Sequence, residues 1–148
     1  MNTLRTRSHL PRGVTLLELV VVLAALGGLA AAVYPSYRNQ MQRARIGEGM
    51  NALADSRARM EQYFLNNRSY ASGPCGTSET VGAFTVVCST APTATAYTIT
   101  ATGSALANGF VFTIDEKGTQ RTTGVPSGWG TVPTGGYPCW IRRQGDSC

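Results

Sequence analysis

From Val14 to Tyr34 nearly every position is apolar, and Glu18 is the one charge in the run. As a helix these 21 residues rise about 31 Å, enough to cross a hydrocarbon core of about 30 Å. The pattern therefore predicts a membrane-spanning first half of a long helix. A lone carboxylate in lipid costs a few kcal/mol or more, which makes Glu18 a functional candidate. Beyond Pro35 the pattern becomes amphipathic. Ile46, Met50, Leu53, Met60 and Phe64 fall on one helical face. Gln42, Arg45, Glu48, Asp55, Arg59 and Gln62 lie mostly off it, with Asp55 and Arg59 spaced for an exposed i, i+4 pair. The helix is expected to continue to about Asn67, its distal half covered on one side by a globular head.

Residues 71–82 read as loop, broken by Gly73-Pro74. Strands are predicted over Ala83–Cys88, Tyr97–Thr102 and Phe110–Asp115 from their β-branched and aromatic content. In the last of these, Phe110, Phe112 and Ile114 share a face. Glu116-Lys117-Gly118 turns the chain into a short fourth strand, Thr119–Thr123. One face of this antiparallel sheet is expected to cover the Ile46–Phe64 stripe. Residues 124–148 hold Pro126, Pro133, Pro138 and several glycines. They predict an irregular tail that only a disulfide and Trp129 or Trp140 hold down. The fold class is α+β.

Ahead of the apolar run stand Arg5, Arg7 and Arg12, then Gly13. An ordinary secretory signal, cut near Ala30-Ala31-Ala32, would need an unusually long apolar core containing Glu18. A plain single-span anchor leaves Glu18 without a role. Arginines flank the run on both sides, so charge does not fix its orientation.

The segment Gly13-Val14-Thr15-Leu16-Leu17-Glu18-Leu19 resembles the class III signal of type IV pilins and pseudopilins. Val14 stands where that family most often has Phe. Glu61-Gln62-Tyr63-Phe64-Leu65-Asn66-Asn67-Arg68-Ser69-Tyr70 is similar to the helix end of many such proteins. Pro138-Cys139-Trp140 with Cys148 resembles the disulfide-bounded C-terminal region of type IVa pilins, in particular minor pilins of the PilE type.

The resemblance implies a leader (residues 1–13) removed by a membrane-embedded prepilin peptidase between Gly13 and Val14, with N-methylation of Val14. Residues 14–34 become a transmembrane helix that later lies in a filament core, and residues 35–148 the head. Glu18 is then the fifth mature residue. It pairs with the α-ammonium of a neighbouring subunit, or alternatively with its own. Gly27, Gly28 and Pro35 become points of helix flexibility. Glycines weaken a helix and proline removes a backbone hydrogen bond, although Gly27-Gly28 suits close helix packing equally. The implied partners are other pilin subunits, the prepilin peptidase and the inner-membrane assembly machinery. The implied location is the inner membrane, head in the periplasm, and then the pilus at the cell surface. A minor pilin aiding filament assembly is favoured over a major pilin or a type II secretion pseudopilin.

Composition then narrows the chemistry. Without the leader, ten basic residues face eight acidic ones, a charge of +2. The basic residues are scattered, unlike a nucleic-acid arm. Nucleic acid is the less favoured partner, through a DNA-uptake reading in which Arg121, Arg142 and Arg143 near Trp140 form a basic patch. The one histidine, His9, is in the leader, so the mature chain has no nucleophile–histidine pair. No catalytic residue, metal or cofactor is expected, and the chain reads as an enzyme's substrate rather than an enzyme. Cys75, Cys88, Cys139 and Cys148 form no CxxC pair, which favours disulfides and an oxidising compartment. Three pairings are possible. Cys75–Cys88 and Cys139–Cys148 are preferred because loops of this size close readily, each stabilising by roughly 3 kcal/mol.

Overall fold

A computed structural model describes residues 13–148, with the side chains of residues 31–36, 38 and 39 outside the description. The expected leader up to Arg12 and the side chain of Pro35 lie outside the described residues. The chain divides into two units, one ending at Arg38 and the other spanning Asn39–Cys148. One helix, α1 (Leu16–Asn67), contributes to both.

In the N-terminal unit α1 is capped by Thr15. Its Oγ1 accepts the backbone N–H of Glu18 (3.2 Å) and its carbonyl accepts that of Leu19 (3.1 Å). Every described side chain from Val14 to Leu29 is exposed. Among the described residues no helix is long and apolar enough to cross a membrane. The span expected over residues 14–34 therefore rests on the sequence.

In the C-terminal unit α1 presents Ile46, Met50, Ala52, Leu53 and Met60 to the core. The helix stops where Arg68 takes a positive φ of 56° and donates its N–H to the Phe64 carbonyl (2.7 Å). Five antiparallel strands follow in sequence order: β1 (Glu79–Val81), β2 (Phe84–Cys88), β3 (Thr98–Gly103), β4 (Val111–Asp115) and β5 (Gln120–Gly124). Their inward positions alternate: Phe84, Val86 and Cys88, then Ile99 and Ala101, then Phe112 and Ile114. These residues and the α1 stripe form a single core.

Strand β1 corrects the loop expected over 71–82. Glu79-Thr80-Val81 is too short and polar to register as a strand. It forms because Gly82, at φ 57°, turns the chain so that Val81 pairs with Phe84. Tyr97 and Phe110 are buried but precede their strands. The Asp55–Arg59 pair is replaced: Arg59 reaches across to Glu79 (2.6 Å), tying α1 to β1. The turn at 116–118 forms, with Asp115 Oδ1 accepting the N–H groups of Lys117 (3.0 Å) and Thr119 (2.7 Å).

The tail is held by more than its tryptophans. Thr122 is fully buried on β5. Its hydroxyl donates to the Cys139 carbonyl (2.8 Å) and accepts the N–H of Ile141 (3.0 Å). Its backbone exchanges two hydrogen bonds with Tyr137 (3.1 and 2.9 Å). Trp129 packs edge-on against Phe110, with centroids 4.7 Å apart. Trp140 Nε1 donates to the Thr113 carbonyl (3.0 Å).

Inside the head, Glu61 accepts hydrogen bonds from Tyr70 (3.0 Å) and Tyr97 (2.7 Å). Burial raises both phenol pKa values above the ordinary 10, and Glu61 raises them further, while Arg57 opposes weakly. Below pH 10 both phenols are neutral, folded or unfolded, and this stabilisation is complete. As pH rises past 10 the unfolded chain releases protons that the folded chain keeps, so stability falls. Thermal melts between pH 9 and 11.5 are expected to show a Tm decline that is shallower in Tyr97→Phe. An equally steep decline in the variant would contradict the assignment.

A second expectation concerns the helix–sheet approach. A Cβ on Gly49 would lie 2.7 Å from the buried Phe84 ring, closer than any real contact. Gly49→Ala is expected to cost about 1–3 kcal/mol from overpacking, read as a lowered urea midpoint. Gly47→Ala is the control, because a Cβ there meets nothing within 4 Å.

Candidate functional site: the helix start and an arginine-lined cleft

The two units each carry one candidate site. In the N-terminal unit, Gly13, Val14 and Thr15 precede the helix and are exposed. The Gly13–Val14 peptide bond therefore lies in irregular, accessible chain, the form a peptidase needs. Glu18 sits in the first turn of α1, where a carboxylate is favoured by the helix dipole. Among the described residues its carboxylate has no hydrogen-bond or ion-pair partner. It is therefore available to a cation from outside the unit. A Cβ on Gly27 or Gly28 would meet nothing within 4 Å, so neither glycine serves packing inside this unit.

In the C-terminal unit, α1 and the tail enclose a cleft of about 340 Å³. Ile46, Gly47, Met50 and Asn51 line it from the helix, and Arg43, Arg142 and Arg143 bring three guanidinium groups. None of the three has a carboxylate partner among the described residues. Arg142 and Arg143 are presented by a loop closed by Cys139–Cys148. Asp146 shapes that loop: its Oδ2 accepts the backbone N–H groups of Arg142 (3.0 Å) and Arg143 (2.8 Å). Ile141, 2% exposed, anchors the loop from below. The arrangement suits a phosphate or carboxylate over an apolar floor.

The patch expected from sequence is thus partly rearranged. Arg142 and Arg143 stand together in the cleft, but Arg121 does not line it and instead donates to the Gly135 carbonyl (3.1 Å). The Trp140 indole is half-buried and committed to Thr113, so it offers no free stacking platform. Arg43 was missed. Its only trace was its position one turn before the first buried residue of α1.

The remaining cysteines join as Cys75–Cys88. Among the described residues there is no free cysteine and no cluster of His, Cys, Asp or Glu suited to a metal ion.

A family model described as "Type IV minor pilin ComP, DNA uptake sequence receptor" matches residues 35–124, well over half of the chain. The chain belongs to this family of type IV minor pilins. The pilin is 33% identical over 85 residues to a fimbrial protein of Neisseria meningitidis, covering 57% of this chain and 45% of the relative. It is 34% identical over 67 residues to the type IV major pilin protein PilE1 of Neisseria gonorrhoeae, covering 45% and 37%. It is 33% identical over 66 residues to the type IV major fimbrial protein FimA of Dichelobacter nodosus, covering 45% and 41%. The pilin spans about half the length of the curated relatives it matches. No solved structure matches it. The family match ends at Gly124, so Arg43 and Arg121 fall inside it, and Arg142 and Arg143 beyond it.

The disulfide-closed loop generates its own expectation. Cys139→Ser with Cys148→Ser removes a loop-closure constraint of roughly 3 kcal/mol and frees Arg142 and Arg143. Differential hydrogen exchange is expected to rise over residues 139–148 and stay unchanged over β2 and β3. Unchanged exchange in the loop would show that Thr122, Ile141 and Asp146 suffice.

Proposed function

We propose that this chain is a structural subunit of a type IV pilus, of the minor class, that helps filaments assemble. The observation that carries the proposal is the first part of α1, where every side chain from Leu16 to Leu29 is exposed and Glu18 is the one charge. Such a surface suits a bilayer before assembly and a bundle of like helices after it. In this reading the chain is cut between Gly13 and Val14, Val14 is methylated, and the head faces the periplasm until the subunit enters a filament. The pilin acts on no substrate. It is itself acted on by the prepilin peptidase and moved by the inner-membrane assembly machinery.

Glu18 then sets the axial stagger. A carboxylate entering an apolar core is penalised alone and tolerated when paired. The ammonium of a neighbour's Val14 supplies the pair. Gly27, Gly28 and Pro35 supply the weak helical stretch that lets the subunit pass from bilayer to filament. Glu18→Ala is expected to insert in the membrane and to be cleaved as before, but to fall at least tenfold in sheared filaments. Normal filament levels would overturn the pairing, and loss from the membrane fraction would assign Glu18 to insertion.

A second reading is favoured by the cleft and by the family's description as a DNA uptake sequence receptor. Here Arg43, Arg142 and Arg143 take DNA phosphates. Replacing all three by Ala is expected to weaken duplex binding by the full chain in detergent. The log–log salt slope is expected to shrink by about two to three. An unchanged slope removes the cleft from any DNA contact.

A further inference from the structure

The cleft of the C-terminal unit holds cationic charge that the head does not use. Arg45 and Arg59, on α1, each hold a carboxylate, Glu48 (2.9 Å) and Glu79 (2.6 Å). Arg43, Arg142 and Arg143 have none among the described residues, yet they line one volume of about 340 Å³. Asp146, the one acidic side chain of the tail, spends Oδ2 on the backbone N–H groups of Arg142 (3.0 Å) and Arg143 (2.8 Å). Three guanidinium groups around one small space repel each other unless an anion joins them.

The floor adds a second observation. Gly47 lines the cleft inside α1, where glycine weakens a helix relative to alanine. A Cβ there would meet nothing within 4 Å, so packing in the head does not call for glycine. What glycine does is keep the floor open beside the buried Ile46 and Met50. The third observation is chain distance. Arg43 follows Tyr34, the end of the apolar run, by nine residues. Nine residues reach at most about 32 Å even when fully extended. A membrane that holds residues 14–34 therefore keeps the cleft on a short tether, where effective concentrations lie in the millimolar range.

On the membrane span put forward above, we propose that this cleft seats the phosphate headgroup of an anionic phospholipid and docks the head on the bilayer before assembly. Guanidinium forks match phosphate oxygens two at a time. The apolar floor takes the glycerol neck, and the exposed Asn51 amide faces the headgroup hydroxyls. The volume falls within the about 300–1,000 Å³ typical of small-ligand sites, so it suits one headgroup. A duplex is different: its phosphates run along a rod and meet surface cations, and an open glycine floor gives them nothing. Entry into a filament breaks the contact, because the head then leaves the membrane with its helix.

The test is hydrogen exchange of the full chain in nanodiscs of phosphatidylcholine, with and without phosphatidylglycerol. Exchange over residues 141–146 is expected to slow about tenfold with phosphatidylglycerol when the headgroup stands at about ten times its Kd, and to stay unchanged over β2 and β3. Gly47→Leu fills the floor without changing any charge and is expected to abolish the slowing. Arg142→Gln with Arg143→Gln, both exposed, is expected to do the same should Gly47→Leu disturb the fold. Slowing that persists in a folded Gly47→Leu chain would reduce the effect to diffuse attraction and overturn the proposal. The same slowing from inorganic phosphate or glycerol phosphate in plain phosphatidylcholine discs would make the cleft a free-phosphate site and overturn the docking. Slowing by duplex DNA but not by phosphatidylglycerol would give the cleft to DNA. A chain that enters the discs but exchanges equally in both overturns the headgroup site alone, whereas a chain that fails to enter them overturns the span and the docking together.

Discussion

An apolar helical surface that water cannot cover governs this molecule. Ten large apolar side chains between Val14 and Leu29 are each more than half exposed. Burying such a side chain fully is worth about 1.5–3 kcal/mol, so covering even half of this surface is worth on the order of 10 kcal/mol. No local hydrogen bond competes with that. In the function proposed above, lipid and then sister helices take the place of water. Glu18 matters because it is the exception on this surface. A single charge cannot drive burial, but it can select which buried arrangement is allowed.

The head solves a separate problem with ordinary means. It needs one helix face and one sheet face in close contact, and Gly49 allows that by leaving room for the Phe84 ring. Its aromatic residues then fill the layer between α1 and the sheet. Glu61 gives two buried phenols a shared acceptor. The tail, poor in regular structure, is fastened by Thr122, Trp129, Trp140 and Ile141 rather than by a further strand. That fastening carries Arg142 and Arg143 to the helix, where they meet Arg43.

Much of this was legible in the sequence, for physical reasons. The stripe Ile46, Met50, Leu53 and Met60 repeats at the helical period, and Phe112 and Ile114 alternate as a half-buried strand must. What was hidden depended on contacts between distant residues. Strand β1 is three residues long and exists only because β2 pairs with it. Thr122 looks like any strand threonine until the tail closes over it. Arg59 had two acidic partners in reach, and only the fold selects Glu79. Arg43 looks like one more solvated helix charge until the tail arrives. Arg121 failed as a patch member because nearness in sequence to a strand end says nothing about which way the tail folds. The leader cut and the Gly27, Gly28 and Pro35 hinge were read from resemblance to a family, whereas Glu18 also stands out as the one charge in the apolar run.

The central claim, that this chain is a processed subunit of an extracellular filament, meets its most direct test in the mass of the chain itself. Surface filaments would be sheared from the producing cells and the chain in them weighed intact. The account predicts a chain beginning at Val14 that carries one added methyl group and the two disulfides Cys75–Cys88 and Cys139–Cys148. A chain still carrying the leader, one beginning at any other residue, or its complete absence from the filament fraction would contradict the account.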